Sequence, residues 1–287
     1  MMALNRKSIV QDTYDQEAER YKTASTMQLF NLRRLLSLAD SALRQPNVGT
    51  ILDVGCGLGP AAGELKERGI LDKAQYLGID LSPQMIARAK EIHKDGAVEF
   101  SVGDAEALNV ADGSVDLVLS NVALHWLNQP KFGITPAKAF SEIYRVLKPG
   151  GVFAVSIPAA GKAERFLKVY RTVLSSYRDT AVFDAAQYVE DPVNRLQLHE
   201  LVDLALGANF LVELGQLHYQ PQKFAEPQGY IDAARAYGFT CFMAPVAAEL
   251  QEKVWTEISE KFTETTGSGP YVHDLYIAYV IARKPEV

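Results

Sequence analysis

The run Asp53–Val54–Gly55–Cys56–Gly57–Leu58–Gly59 sets three glycines at alternate positions immediately after an apolar segment. Without a Cβ, glycine lets backbone N–H groups come close to a ligand, so the turn suits a nucleotide-like molecule. A dinucleotide turn separates its second and third glycines by three residues, whereas Gly59 follows Gly57 by two and Pro60 comes next. Asp53 puts a carboxylate ahead of the turn, placed to orient the loop and to receive an amino-acid ammonium. Asp80, followed by Leu81, ends the next apolar run, where a carboxylate can accept two hydrogen bonds from a ribose diol. The competing reading of Asp80 is a favourable charge ahead of the helix that Ser82 and Pro83 begin. Asp104, in Gly103–Asp104–Ala105, can accept an exocyclic adenine amine while the neighbouring N–H meets a ring nitrogen, or can simply form a turn. Met85 offers a side chain to adenine or to the core. Asn121 offers its amide to the amino-acid end of the same ligand or to a loop cap.

Proton transfer has one candidate, His125, after the fourth apolar run; a histidine stacked in the apolar Val122–Leu127 turn is the alternative. His199, His218 and His273 lack partners three or four residues away, so no metal site is expected. Tyr14 and Tyr21, seven residues apart, share one face of an amino-terminal helix, as a cover for the ligand or as ordinary packing. Arg165, Arg171, Arg178 and Arg195 fall in a helical region. One or two of them could pair with a substrate carboxylate or a carrier phosphate, although each alone also fits a solvated helix face. Tyr271 and Tyr276, around the last strand, fit either an acceptor pocket or core.

Such groups need a scaffold that gathers the ends of successive strands. Residues 6–44 carry apolar side chains at helical spacing, stop at Pro46 and read as two helices divided near Lys22–Ser25. Thr50–Val54 reads as a strand and Ala61–Arg68 as a helix. Gln75–Asp80 and Gln84–Lys94 repeat the unit, with Ser82 as N-cap and Pro83 at the first helical position. Val98–Gly103 and Val115–Ser120 are strands, Thr135–Val146 is a helix, and Val152–Ile157 is a fifth strand after Lys148–Pro149–Gly150–Gly151. This alternation demands a parallel, Rossmann-like doubly wound α/β sheet with helices on both faces. Residues 161–245 read as mostly helical, with strand-like pieces near Phe210–Leu214 and His218–Phe224. Residues 247–263 have helical periodicity, and Leu275–Ala282 reads as a buried or edge strand of the main sheet. The expected organisation is a helical cap over 1–45, a ligand-binding core over 46–158, a mainly helical inserted lid over 159–246, and a helix and strand over 247–287 that complete the sheet.

The totals narrow the classes of function. With 287 residues the chain can bury a full core without staples. Its two cysteines, Cys56 and Cys241, lie at no ligand spacing, and a reducing cytoplasm is the expected compartment. The first twenty-one residues hold no apolar stretch of the kind a signal peptide or membrane span needs. A formal charge of −6, with no cluster of Lys and Arg among aromatics, speaks against a nucleic-acid partner.

In order and spacing, ILDVGCGLG, LGIDLSPQMI, VGDAEAL, VDLVLSNVALHWL and LKPGGVFAV resemble the five signature segments of class I S-adenosylmethionine-dependent methyltransferases, over roughly residues 50–157. The flanks, Asn5–Arg6–Lys7 with Tyr14, Ala18, Tyr21 and Met27–Gln28 at one end and Gly269–Pro270–Tyr271 with Leu275–Tyr276 at the other, are similar to the malonyl-acyl-carrier-protein O-methyltransferases of biotin synthesis. The Leu124–His125–Trp126 segment and the inserted helices also resemble trans-aconitate and insect juvenile hormone acid methyltransferases. The resemblance implies S-adenosyl-L-methionine as cofactor and S-adenosyl-L-homocysteine as product. It places Gly55, Gly57 and Gly59 around the methionyl group, Asp80 on the ribose, Asp104 and Ala105 on the adenine, and Tyr14 and Tyr21 in a cap over the cofactor.

The three narrower families share a carboxylate acceptor, on a small molecule or a carrier-bound acyl group. Methyl transfer from a sulfonium is an in-line displacement, and an ionised carboxylate needs no general base, so positioning in a dry site supplies most of the rate. If the acceptor is instead a natural product or quinone precursor methylated on oxygen, nitrogen or carbon, His125 becomes the candidate base. A third reading keeps the fold and the cofactor but not the transfer, as in an assembly or regulatory protein. The sequence leaves the oligomeric state open.

Overall fold

In a computed structural model of the chain, residues 2–17, 26–46, 48–94, 96–159, 164–192, 195–236, 239–267 and 271–286 are described. Two helices, α1 (Met2–Glu17) and α2 (Thr26–Leu38), and a short α3 (Asp40–Leu43) precede the first strand, β1 (Thr50–Val54). The repeating part follows as α4 (Pro60–Glu67), β2 (Gln75–Asp80), α5 (Pro83–Ile92), β3 (Val98–Val102), β4 (Val115–Asn121), α6 (Ala137–Val146) and β5 (Leu147–Pro158). Local chemistry sets the boundaries. Pro60 opens α4 after Gly59, which is in the left-handed region at φ 74°, and the Ser82 hydroxyl accepts the Met85 N–H to cap α5 ahead of Pro83.

The remaining elements are α7 (Glu164–Ser175), α8 (Leu198–Gly207), β6 (Leu211–Tyr219), β7 (Gln222–Phe224), α9 (Pro227–Ala236), α10 (Phe239–Met243), α11 (Gln251–Thr266), β8 (Tyr271–His273) and β9 (Tyr276–Arg283). The main sheet has the order β3-β2-β1-β4-β5-β9-β6. β1 to β5 pair in parallel, and β9 is antiparallel to both β5 and β6.

Strand side chains alternate between the two faces, and both faces are covered, so these strands are apolar almost throughout. Leu117 and Leu119 of β4, Val152 and Ala154 of β5, and Ile277 and Tyr279 of β9 pack with Leu32, Leu35 and Leu36 of α2 and with Ala62 and Leu65 of α4. The intervening Val118, Phe153, Val155, Ala278 and Val280 face Phe140 and Ile143 of α6 and Leu201 and Ala205 of α8. Full burial of one such side chain stabilises the fold by about 1.5–3 kcal/mol.

A separate aromatic core unites α7, α9, α10 and α11 through Phe166, Tyr170, Tyr230, Phe242, Trp255 and Phe262. Phe166 is its hub, with ring centroids 5.4 Å from Phe242 and 6.0 Å from Trp255. Among the described residues, no helix is long and apolar enough to cross a membrane.

Two of the expected boundaries shift. The pieces near Phe210–Leu214 and His218–Phe224 are mostly one strand, β6, and it forms the edge of the main sheet, so the span 159–246 is not a lid throughout. α8 goes with it, its Leu201 and Ala205 buried in the sheet's own core. Conversely α11, expected to complete the sheet, packs on α7 in the aromatic core. The terminal strand is internal, between β5 and β6.

Candidate functional site

A cleft opens at the carboxyl ends of β1 to β4, where doubly wound sheets bind ligands. Its floor is the glycine turn. Gly55 is at φ 77°, and a Cβ there would lie 2.3 Å from the Ala123 Cβ, so no other residue fits between β1 and the loop after β4. That loop is itself strained: Val122 is a β-branched residue at φ 54° and it lies on the cleft wall. Gly57 faces open space, and its N–H donates to Asp80 Oδ2 at 2.9 Å.

Asp53 lines the cleft although it is only 4 % exposed. Its Oδ2 accepts the Tyr76 hydroxyl at 2.6 Å. Burial raises its pKa to about 7 and the nearby Asp80 charge adds to the rise, while the Tyr76 hydrogen bond opposes it. A buried carboxyl held so far above its ordinary range gains most from a cation brought against it. This fits the ammonium of an amino-acid moiety.

Asp80 uses both carboxylate oxygens on backbone, accepting Gly57 N–H and, at 2.9 Å, Ser82 N–H. Each oxygen keeps a further lone pair for a hydroxyl. Burial raises its pKa against those hydrogen bonds. Leu81, the buried Met85, Asp104 and Ala105 continue the wall on the same side. Asn121 ends β4 on the wall, with its amide donating to the Gln28 carbonyl at 3.1 Å and its oxygen accepting the Ser156 hydroxyl at 2.8 Å. It thereby fixes α2 to the strand end, which is the cap role as well as a wall role.

The roof is α1. Lys7, Val10, Gln11 and Tyr14 reach the cleft from one helical stripe. Lys7 Nζ pairs with Asp104 Oδ2 at 2.7 Å and also contacts Glu106. Tyr14 Oη accepts the Trp126 indole N–H at 2.8 Å, their rings edge to face. Asp15 accepts the Ser82 hydroxyl at the start of α5. Lys7 and Gln11 escaped the sequence reading, although their spacing of seven and three residues from Tyr14 marks the same face. Tyr21 lies outside the described residues.

Two expected positions leave the wall. Gly59 points away from the cleft: a Cβ there would meet the Phe100 ring at 2.5 Å, so this glycine serves chain direction and packing. His125 is 2 % exposed, with its ring 4.7 Å from that of Trp126, and does not line the cleft. Burial, aided by the Arg195 charge, lowers its pKa to about 3, so it is a neutral and weakly basic imidazole.

Residues 52–155 match the family model described as a methyltransferase domain. The chain is 34% identical over 172 residues to the malonyl-[acyl-carrier protein] O-methyltransferase of Marinomonas sp., covering 58% of each chain. It is 37% identical over 145 residues to the enzyme of the same name from Hahella chejuensis, covering 50% of this chain and 48% of that one. The chain thus spans about half the length of the curated relatives it matches. Among solved structures, Haemonchus contortus phosphoethanolamine N-methyltransferase 2, in complex with S-adenosyl-L-methionine, superimposes with a TM-score of 0.52 at 18% identity, over 94% of this chain and 57% of that one. The stretch 52–155 is therefore similar to a methyltransferase domain, and the chain has the class I methyltransferase fold.

Proposed function

We propose that the chain is an S-adenosylmethionine-dependent methyltransferase that O-methylates a carboxylate, on a small molecule or a carrier-bound acyl group. One observation carries the reading: Asp53, Asp80 and Asp104, at or just beyond three successive strand ends, line a single cleft with the Gly55–Gly57 turn. Three carboxylates spaced along one wall match an ammonium, a ribose diol and an adenine amine in turn. The domain match at 52–155 supports the transfer, and the relatives' name supports an acyl-carrier-bound acceptor.

When bound, the cofactor supplies an electrophilic methyl on a sulfonium. Asp53 holds the ammonium, Asp80 the ribose hydroxyls, and Asp104 with the Ala105 N–H the adenine edge, with Met85 against its face. The α1 roof and the Trp126–Tyr14 pair keep water out, which strengthens each of these contacts. A carboxylate acceptor is ionised at neutral pH, and the position of His125 favours this base-free version over a protonated nucleophile.

Calorimetry with S-adenosyl-L-methionine, followed by assay of S-adenosyl-L-homocysteine release with malonyl carrier protein, aconitate and fatty or terpenoid acids, tests the reading. Micromolar binding and methyl ester formation with one of these acids are expected. Binding without turnover across the panel would overturn the carboxylate assignment, and absence of binding would overturn the cofactor assignment.

A further inference from the structure

Three buried polar side chains, Tyr230, His273 and His125, lie within electrostatic reach of the largely covered Arg195. Arg195 directly precedes Leu196, which bridges to Ala159 just past the end of β5. Its side chain is 9% exposed, and its Nη1 donates to both carboxylate oxygens of Asp191, at 2.7 and 2.8 Å. Among the described residues, its Nε and Nη2 have no hydrogen-bond partner. The Tyr230 hydroxyl is in the same position, on a residue 2 % exposed. The Tyr230 ring lies 5.2 Å from that of His273, whose Nδ1 is buried and unpartnered. His125, between the cleft-lining Leu124 and Trp126, also has a buried, unpartnered Nδ1.

The charge of Arg195 acts on His125, His273 and Tyr230 alike, while Asp274 acts on Tyr230 and His273 and Arg165 on Tyr230. Native interiors rarely leave buried polar atoms unmatched as the two imidazole Nδ1 atoms are, and the Arg195 and Tyr230 donors near them are left open to a ligand. The unused side of the guanidinium, Nε with Nη2, is the edge that makes two parallel hydrogen bonds to a carboxylate. Asp191 already balances most of the Arg195 charge, so a monoanion suits that edge better than a phosphate dianion.

We infer that Arg195, with the Tyr230 hydroxyl, binds the acceptor's carboxylate and holds it beside the Trp126 wall of the cofactor cleft. This rests on the carboxylate reading of the function and adds the group that selects the acceptor. His273 and His125, neutral at physiological pH, complete the lining without competing for the anion.

The test uses the full chain with S-adenosyl-L-homocysteine bound, titrated calorimetrically with malonyl-N-acetylcysteamine, aconitate and a fatty acid, and with the neutral methyl ester of each acid that binds. The wild type should bind at least one acid and its ester at least tenfold more weakly. Arg195→Gln should weaken binding of that acid tenfold or more and raise KM more than it lowers kcat, Arg195→Lys should recover part of the loss, and Tyr230→Phe should cost severalfold. Affinity for the cofactor product should stay within twofold throughout. If Arg195→Gln does not fold because Asp191 is left unpaired, Asp191→Asn/Arg195→Gln replaces it. Equal binding of acid by wild type and the Arg195 variant, or of acid and ester by wild type, would overturn the inference, as would a wild type that binds none of the acids. Acid binding through Arg195 without methyl transfer would instead sink the carboxylate methylation reading and leave the anion site standing.

Discussion

Lys7 Nζ stands 2.7 Å from Asp104 Oδ2, so the first helix of the chain is tied by an ion pair to the residue just beyond the third strand, at the adenine end of the cleft. Burial works against the Lys7 charge, but its hydrogen bonds to Asp104 and Glu106 prevail and raise its pKa. Replacing Lys7 with Met should loosen α1. The pair is partly exposed, so the loss is modest, at most about 1 kcal/mol and smaller in high salt. Hydrogen exchange of the α1 amides should rise severalfold in the variant at low salt and converge on wild type above about 0.5 M salt. Unchanged exchange would mean that Tyr14 and Asp15 hold the helix without it.

Cofactor affinity should depend on pH through Asp53. Its pKa in the free protein is raised to about 7, and the ionised form is the one that attracts an ammonium. Below pH 7 the carboxyl is protonated and binding must release that proton, so affinity falls by up to tenfold per pH unit down to the pKa of the complex. Above pH 7 this dependence vanishes. Asp53→Asn should bind weakly at every pH with the slope abolished. Tyr76→Phe removes the hydrogen bond that stabilises the ionised form and should move the break to higher pH.

Gly55 and Gly57 separate steric from conformational demands. Both have positive φ, but a Cβ at Gly55 collides with Ala123 whereas one at Gly57 meets nothing within 4 Å. Gly57→Ala should cost about 1 kcal/mol of stability for its backbone alone. Gly55→Ala adds an overlap in the packed floor, about 1–3 kcal/mol more, and displaces the loop carrying Val122. Denaturant titration and cofactor calorimetry on the two variants should show a clearly larger loss for Gly55→Ala in both measurements.

His125→Gln distinguishes a base-free transfer from a base-assisted one. With a carboxylate acceptor, kcat should remain within about fivefold of wild type, since removing a general base costs typically 10²–10⁴-fold. A fall of that size, with a pH profile that loses one limb, would restore His125 to the chemistry.

The strand–turn–helix repeats of residues 50–158 were legible because their signals are local. Ser82 and Pro83 announce α5, apolar runs announce β1, β2 and β4, and each requires only its neighbours to take effect. β6 was read as two pieces because Gly215 interrupts the run and apolar residues stand where an edge strand would turn polar ones outward: the structure exposes Leu211 and Leu217, and shifts register between Val212 and Leu214. That the three aspartates share one cleft follows from their strand-end positions. Spacing does not reveal which way a Cβ at Gly59 would point, and the fold turns it towards Phe100. Lys7 owes its ion pairs to partners distant in sequence, and what sets Arg195 apart from Arg165, Arg171 and Arg178 is surroundings that only the folded chain assembles.

The placement of β9 bears on how the protein must be made. β5 pairs with β9 along Val152–Pro158, and β6 reaches the sheet only through β9 on its other side. Until the residues of β9 leave the ribosome, β5 presents a long apolar edge with open hydrogen-bonding groups and β6 has no strand to join. Such an edge invites pairing with other chains. During synthesis, the β5 edge is therefore the part of the sheet left longest open to pairing with another chain, and the arrival of β9 is what closes it.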